Sequence, residues 1–142
     1  MSSTRDKVFV DSNVLVYAHD LDAKERHDRA VGIVRDLWES RNGALSTQVL
    51  QEFYVNVTRK IPKPLKKSTA RELARNYGSW QTEIIDRSDI FRASELEESS
   101  RISFWDALII VAAAKSGASL LLSEDLNDGQ TIAGVTIEDP FS

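Results

Sequence analysis

Four acidic residues are spread along the chain, and each lies in or next to a predicted strand end or the first part of a predicted helix. They are Asp11, Glu52, Asp106 and Asp125. Carboxylates that come together from separate segments repel one another unless a cation neutralises them. A hard divalent ion such as Mg²⁺ or Mn²⁺ takes oxygen ligands, keeps several waters and leaves room for phosphate oxygens. The residue types therefore suit metal-assisted chemistry on a phosphate ester.

Each acid also has an ordinary structural explanation when it is taken alone. Asp11 and Asp125 follow apolar runs, where an Asp commonly makes a turn or caps a helix. Asp106 comes three residues after Ser103, which suits a capping box and the dipole at a helix start. Glu52, on the flank of a predicted helix, would usually be a surface residue. Only convergence of the four at one place favours a functional explanation.

The elements that must position these acids follow from the hydrophobic pattern. Short apolar runs predict strands at residues 7–10, 44–47, 80–86, 118–123 and 135–137. Helical periodicity and capping signals predict helices at residues 24–39, 48–60, 69–77, 88–99 and 103–115. The third of these helices is predicted to open with a capping box of Thr69 and Glu72.

Strands that alternate with helices of this length pair in parallel through right-handed crossovers, and the helices then cover both faces of the sheet. We predict an α/β fold, a three-layer α/β/α sandwich with a mainly parallel central sheet. In such sheets, sites form beyond the carboxyl ends of the strands, which is where Asp11 and Asp125 fall. We expect Asp106, in the first turn of its helix, and Glu52 to lie at the same edge.

Composition limits the other possibilities. The chain has 142 residues, 42% of them apolar and 28% charged, which indicates a single globular domain over residues 1–142. It has no cysteine, so any metal must be held by oxygen. The longest apolar run, residues 107–114, is too short to span a membrane, and residues 1–6 do not resemble an export signal, so we expect a cytoplasmic protein.

Taken in order, the motifs around the acids resemble those of PIN-domain ribonucleases. The matching segments are DSNVL at residues 11–15, QEF at 51–53, WDALI at 105–109 and SED at 123–125. More narrowly, the chain is similar to the VapC-type toxins of toxin-antitoxin pairs, and the resemblance covers nearly the whole chain. No single motif is specific, and the order and spacing of the four carry the resemblance.

The resemblance implies a metal-dependent endoribonuclease that hydrolyses RNA phosphodiester bonds with a metal-activated water. Asp11, Glu52, Asp106 and Asp125 would be catalytic and would bind one or two Mg²⁺ or Mn²⁺ ions. Ser12, Asn13, Thr47 and Ser123 would support these ligands or their waters. After Asp125, the sequence departs from the commonest pattern of the family, and this leaves open whether Asp128 also reaches the metal.

The resemblance also implies partners, namely an RNA substrate, an antitoxin protein and a second copy of the chain in a homodimer. A basic segment could guide the RNA backbone, or it could be a solvated loop; its residues are Arg59, Lys60, Lys63, Lys66 and Lys67. Arg101 is a further candidate for a phosphate contact. We expect His19 and His27 to be surface residues, and Trp80 and Trp105 to be buried rather than in contact with RNA.

Two alternatives remain open at this point. The first is a Mg²⁺-dependent phosphatase or a phosphorelay domain, in which a strand-end Asp such as Asp11 is phosphorylated. Asn13 weakens the phosphatase, because one common class would have a second Asp there. The second alternative is an RNA- or protein-binding domain that keeps a PIN-like fold without catalysis, although all four acids are present.

Overall fold

The structure, a computed structural model, describes residues 6–142. The strands are β1 (Val8–Val10), β2 (Gly43–Ser46), β3 (Gln81–Glu83), β4 (Leu120–Leu122), β5 (Thr131–Ile132) and β6 (Val135–Glu138). The α-helices are α1 (Ser12–Tyr17), α2 (Glu25–Ser40), α3 (Thr47–Arg59), α4 (Lys67–Tyr77), α5 (Arg87–Ser100) and α6 (Phe104–Ser116). A 3₁₀ turn, Leu21–Ala23, connects α1 to α2.

In residues 6–142, the strands form one sheet in the order β3-β2-β1-β4-β6-β5. All neighbouring pairs are parallel except β5 with β6, which are antiparallel. The predicted fold, an α/β sandwich with a mainly parallel sheet, is confirmed. Because β1, β2 and β4 run in the same direction, Asp11, Thr47 and Ser123 all follow strand ends at one edge of the sheet, which we call the carboxyl edge.

The central strands and α6 make the core. Phe9, Leu45 and Leu121 are fully buried on three adjacent strands. The segment of α6 from 107 to 113 is buried at every position, so this helix is covered on all sides. Gly43 lies in β2, and an added Cβ there would come within 2.6 Å of the Trp80 ring, which explains the missing side chain. No helix within residues 6–142 is long and apolar enough to cross a membrane.

Some local predictions differ from the structure. Helix α4 begins at Lys67 and has no side-chain cap, so the predicted capping box of Thr69 and Glu72 is wrong. A capping box does occur in α5, between Asp86 and Asp89. The strand predicted at residues 135–137 is present as β6, whereas helix α1 and strand β5 were not predicted, because both are too short to show a clear period.

The aromatic and histidine predictions have mixed outcomes. Trp80 is buried as expected, but Trp105 is 63% exposed. His19 is half-buried and its Nε2 lies 2.7 Å from the Tyr77 hydroxyl, while His27 Nδ1 lies 2.9 Å from the carbonyl oxygen of Tyr17. Both histidines therefore have structural partners rather than being free surface residues.

Candidate metal and nucleic-acid site

Asp11 occupies the most enclosed position at the carboxyl edge. It follows β1 directly and caps α1, and only 4% of it is exposed. Its Oδ1 accepts a hydrogen bond from the backbone N–H of Ser12 at 2.7 Å, and its Oδ2 accepts one from the Ser123 hydroxyl at 2.7 Å. Both carboxylate oxygens therefore have fixed donors, one from α1 and one from the end of β4.

The electrostatics of Asp11 show that it lies among other acids. Burial raises the pKa of Asp11 to about 7, against the opposing effect of the hydrogen bonds from Ser123 and Ser12. The negative charges of Glu52 and Asp125 raise that pKa further. Without a cation, Asp11 would be only partly ionised at neutral pH, so a bound cation would favour its charged form.

Glu52 reaches the same place from α3. Its Oε1 accepts a hydrogen bond from the Ser12 hydroxyl at 2.9 Å, so one serine links Asp11, through its backbone, to Glu52, through its side chain. The other oxygen, Oε2, accepts from Gln48 Nε2 at 3.2 Å. Glu52 therefore lies at the carboxyl edge, as the sequence predicts, and both of its carboxylate oxygens accept hydrogen bonds.

Asp106 lies in the first turn of α6, as the sequence predicts. Ser103 caps this helix, and its Oγ accepts from the Asp106 backbone N–H at 3.1 Å. Burial raises the pKa of Asp106, the Ser103 hydrogen bond opposes the rise, and the negative charge of Asp125 adds to it. Asp106 and Asp125 also line one small cavity of about 100 Å³. These two acids therefore lie near each other.

Asp125 is the most exposed of the four acids. Its Oδ2 accepts from Asn13 Nδ2 at 3.1 Å, and its backbone N–H donates to the Ser123 hydroxyl at 3.2 Å. Asn13 also accepts from the backbone N–H of Glu124 at 3.4 Å through its Oδ1. Asn13 and Ser123 thus tie the loop that carries Asp125 to the Asp11 strand end.

Two predicted site residues face elsewhere. The Thr47 hydroxyl accepts from the backbone N–H of Ile85 at 3.2 Å, which fixes the loop between β3 and α5. Asp128 accepts from the backbone N–H of Asp139 at 2.9 Å, near the β5–β6 hairpin. Neither contact connects to the four acids, whereas Ser12, Asn13 and Ser123 all bond to them directly.

The basic residues divide between two places. The basic segment runs from Arg59, the last residue of α3, to Lys67, the first residue of α4. Glu52 lies seven residues before Arg59 on α3, which is about 10 Å along the helix. One of its residues, Lys63, lies 4.0 Å from Asp22. Arg101 instead ends α5 just before the Ser103 cap, in a left-handed conformation with φ 55°. Its role in RNA contact stays a prediction, but it is the basic candidate close in sequence to the Asp106 turn.

Sequence reasoning missed two groups that hold the site. The first is Gln48, which contacts Glu52 and α6; its i, i+4 spacing from Glu52 was the available signal. The second is Glu124, whose carboxylate accepts from the Tyr17 hydroxyl and from Arg26. Those contacts join residues about a hundred positions apart, so no local sequence pattern could predict them.

The oxygen donors at the carboxyl edge suit a hydrated divalent ion. Within residues 6–142, no three acidic or histidine side chains come close enough together to enclose an ion by themselves. The chemistry still fits a hard divalent ion, because the site offers carboxylates and Mg²⁺ in proteins usually retains several waters. In addition, the buried Oε1 of Gln48, on the side chain that contacts Glu52, has no donor in the described chain, and the waters of a hydrated ion are O–H donors.

The chain is thus an α/β domain whose acidic residues lie beyond the carboxyl ends of its parallel strands. The profile of the PIN domain family matches residues 8–128, so the chain belongs to the PIN-domain family. No curated protein sequence matches the chain.

Solved structures share the fold. Mycobacterium tuberculosis VapC20, a Sarcin-Ricin loop cleaving toxin, is 20% identical with a TM-score of 0.59, over 81% of this chain and 87% of that chain. A toxin-antitoxin complex from Klebsiella pneumoniae is 20% identical with a TM-score of 0.64, over 95% of this chain and 98% of that chain. Rickettsia felis VapBC2, bound to a DNA fragment from its promoter, is 21% identical with a TM-score of 0.60, over 92% and 96%.

Proposed function

We propose that this PIN domain is a divalent-metal-dependent endoribonuclease and the toxin of a toxin-antitoxin pair. The observation that carries the proposal is the convergence of Asp11, Glu52, Asp106 and Asp125 at the carboxyl edge, where burial and neighbouring acids raise the pKa of Asp11 to about 7. A site that accumulates this much unfavourable charge suits a cation. The family match and the toxin structures that share the fold support RNA as the substrate.

The four acids would hold one or two Mg²⁺ or Mn²⁺ ions, with waters completing the coordination. Such an ion supplies a water of lowered pKa and neutralises charge on the phosphate. The chain itself fixes the carboxylates: the Ser123 hydroxyl donates to Asp11, the Ser12 hydroxyl donates to Glu52, and the Asn13 amide donates to Asp125. The proposed mechanism uses no histidine as a general base, because the metal supplies the activated water. His19 and His27 are instead engaged in structural contacts.

The burial of Asp11 disfavours the phosphatase and phosphorelay alternatives. A carboxylate that attacks phosphorus must be reached by a whole phosphoryl group, whereas a metal ion is small enough to contact a carboxylate oxygen that already accepts a hydrogen bond. Only 4% of Asp11 is exposed, and Oδ1 and Oδ2 each accept a hydrogen bond at 2.7 Å. Asp11 is therefore better suited to bind a small cation than to act as a nucleophile. The family match favours the nuclease in the same way.

The toxin role brings partners with it. The similar structures include toxin-antitoxin complexes, one of them bound to promoter DNA, which supports an antitoxin as a partner of this chain. We also propose that the chain pairs with a second copy and works in the cytoplasm, where it would meet RNA and antitoxin. Exposed apolar side chains such as Ile84 and Phe91 are available for protein contacts.

The test is cleavage of end-labelled structured RNA by the purified chain, with Mg²⁺ or Mn²⁺ and with EDTA. We expect metal-dependent cutting in the wild type and none in Asp11→Asn or Asp106→Asn, with both variants folded by circular dichroism. Asp28→Asn, at an exposed position in α2, is the matched control and should cut normally. Full cutting by a double Asp11→Asn, Asp106→Asn variant would overturn the proposal. Phosphate release from a small ester without RNA cutting would support the phosphatase instead.

A further inference from the structure

Gln48 is a polar side chain placed where burial is costly. It is the second residue of α3 and only 5% exposed, on the same helix face as Glu52. A buried amide group without a hydrogen-bond partner destabilises the folded protein, so the contacts of Gln48 must explain its presence. Its neighbour Gln51 is exposed on the same helix and offers a natural comparison.

The contacts of Gln48 join two of the acid-bearing helices. Its Nε2 donates to Glu52 Oε2 and to the backbone carbonyl oxygen of Trp105, each at 3.2 Å. Both of these partners accept hydrogen bonds and cannot donate, so the orientation of the amide is fixed by chemistry. Trp105 directly precedes Asp106 in the first turn of α6. One NH₂ group therefore bridges the carboxylate on α3 and the turn that carries Asp106.

Glu52 would otherwise be held from one side alone. Ser12 donates to its Oε1, at 2.9 Å, and Gln48 donates to its Oε2. Donors on both oxygens restrict the rotation of the carboxylate about its last bond. Groups that hold a metal ligand in this way typically change metal affinity by about 10–100-fold when they are removed.

We propose that Gln48 is a positioning residue for the metal site, which acts by holding Glu52 and the Asp106 turn in one fixed arrangement. This inference rests on the proposed function, because it assumes that Glu52 and Asp106 bind a metal ion. The hydrogen bonds of the Gln48 amide are present before any ligand binds. The alternative is that Gln48 only stabilises the packing of α3 against α6, in which case its loss would lower stability and leave the metal site unaffected.

The experiment measures Mn²⁺ affinity by electron paramagnetic resonance, together with thermal unfolding, in wild type, Gln48→Met and Gln51→Met. Methionine keeps the length of the side chain and removes the amide. We expect Gln48→Met to weaken Mn²⁺ binding about tenfold, and Gln51→Met to leave it unchanged. An unchanged affinity in folded Gln48→Met would overturn the proposal, as would a failure of both Gln48→Met and Gln48→Ala to fold.

A double-mutant cycle shows whether Gln48 acts through Glu52. In a Glu52→Gln background, the further change Gln48→Met should lower Mn²⁺ affinity less than it does in the wild type, because the carboxylate is already gone and only the bond to the Asp106 turn remains to be lost. A full additional loss in that background would contradict the proposed route. If the wild type binds no Mn²⁺, or if Asp11→Asn binds it equally well, the nuclease proposal itself fails. A normal wild type with an insensitive Gln48→Met defeats this inference alone.

Discussion

The two sides of the acidic edge are built differently. On the Asp11 side, Asp11 and Glu52 receive four side-chain or backbone donors, and Asp11 is almost fully enclosed. On the Asp125 side, Asp125 is exposed and receives one side-chain donor, from Asn13, while Asp106 is half-buried. The first side is held by hydrogen bonds before any ligand binds, and the second side is more open to solvent. This difference suggests that the Asp11 side sets where a metal binds and the Asp125 side admits substrate and water.

The largest expected effect follows from that contrast. Asp11→Asn removes the charge of the most desolvated acid and should lower Mn²⁺ affinity by at least about a hundredfold, since unsolvated charges interact most strongly with a cation. Asp125→Asn removes a solvated charge and should cost about tenfold. Calorimetric titration of both variants measures the two values. Equal losses, or a larger loss in Asp125→Asn, would mean that the enclosed side does not dominate binding.

A medium effect concerns the stability of the metal-free protein. Because the pKa of Asp11 is raised from 3.8 to about 7, the folded state holds this proton more tightly than the unfolded state does. Its contribution to stability is therefore complete below pH 3.8 and is lost as the pH rises through about 7. At pH 8 in EDTA, Asp11→Asn should unfold about 5 °C higher than the wild type, and the gap should shrink at lower pH.

Unfolding curves at pH 5, 6.5 and 8 would follow this gap, with Asp125→Asn as the matched control. The control should show a smaller difference in unfolding temperature from the wild type, because Asp125 is exposed and its charge stays in contact with water. A gap that stays constant with pH would show that Asp11 is ionised in the folded protein throughout. Addition of Mn²⁺ should reverse the order by stabilising the wild type alone.

The sequence predicts the gross arrangement because that arrangement follows from local patterns. Strands such as β1 and β4 are apolar runs with a defined end, and parallel pairing brings their ends to one edge. Asp11 and Asp125 were therefore placed correctly at that edge without coordinates. Asp106 was placed through its Ser103 cap, which is a local signal and which the structure confirms.

The remaining features depend on contacts between distant residues. Gln48 bonds to the carbonyl oxygen of Trp105, 57 positions away, and Glu124 bonds to Tyr17, 107 positions away. Trp105 is exposed although it lies at the start of an otherwise buried helix, and no local period shows which side of that first turn faces solvent. Thr47 illustrates the opposite error: it follows β2 at the correct edge, but its hydroxyl serves a neighbouring loop.

The smallest expected effect concerns Thr47, which lies at the carboxyl edge but does not bond to any of the four acids. Thr47→Val keeps the shape of the side chain and removes the acceptor for the Ile85 backbone N–H, so it should cost about 1 kcal/mol of stability. Mn²⁺ affinity and RNA cleavage should stay within about twofold of the wild type, because the lost bond does not involve the acids. Thr47→Ser retains the hydroxyl and should match the wild type in both respects. If Thr47→Val instead weakens Mn²⁺ binding as much as Gln48→Met does, the Thr47 hydroxyl acts on the metal site, and the end of β2 belongs to the hydrogen-bonded Asp11 side.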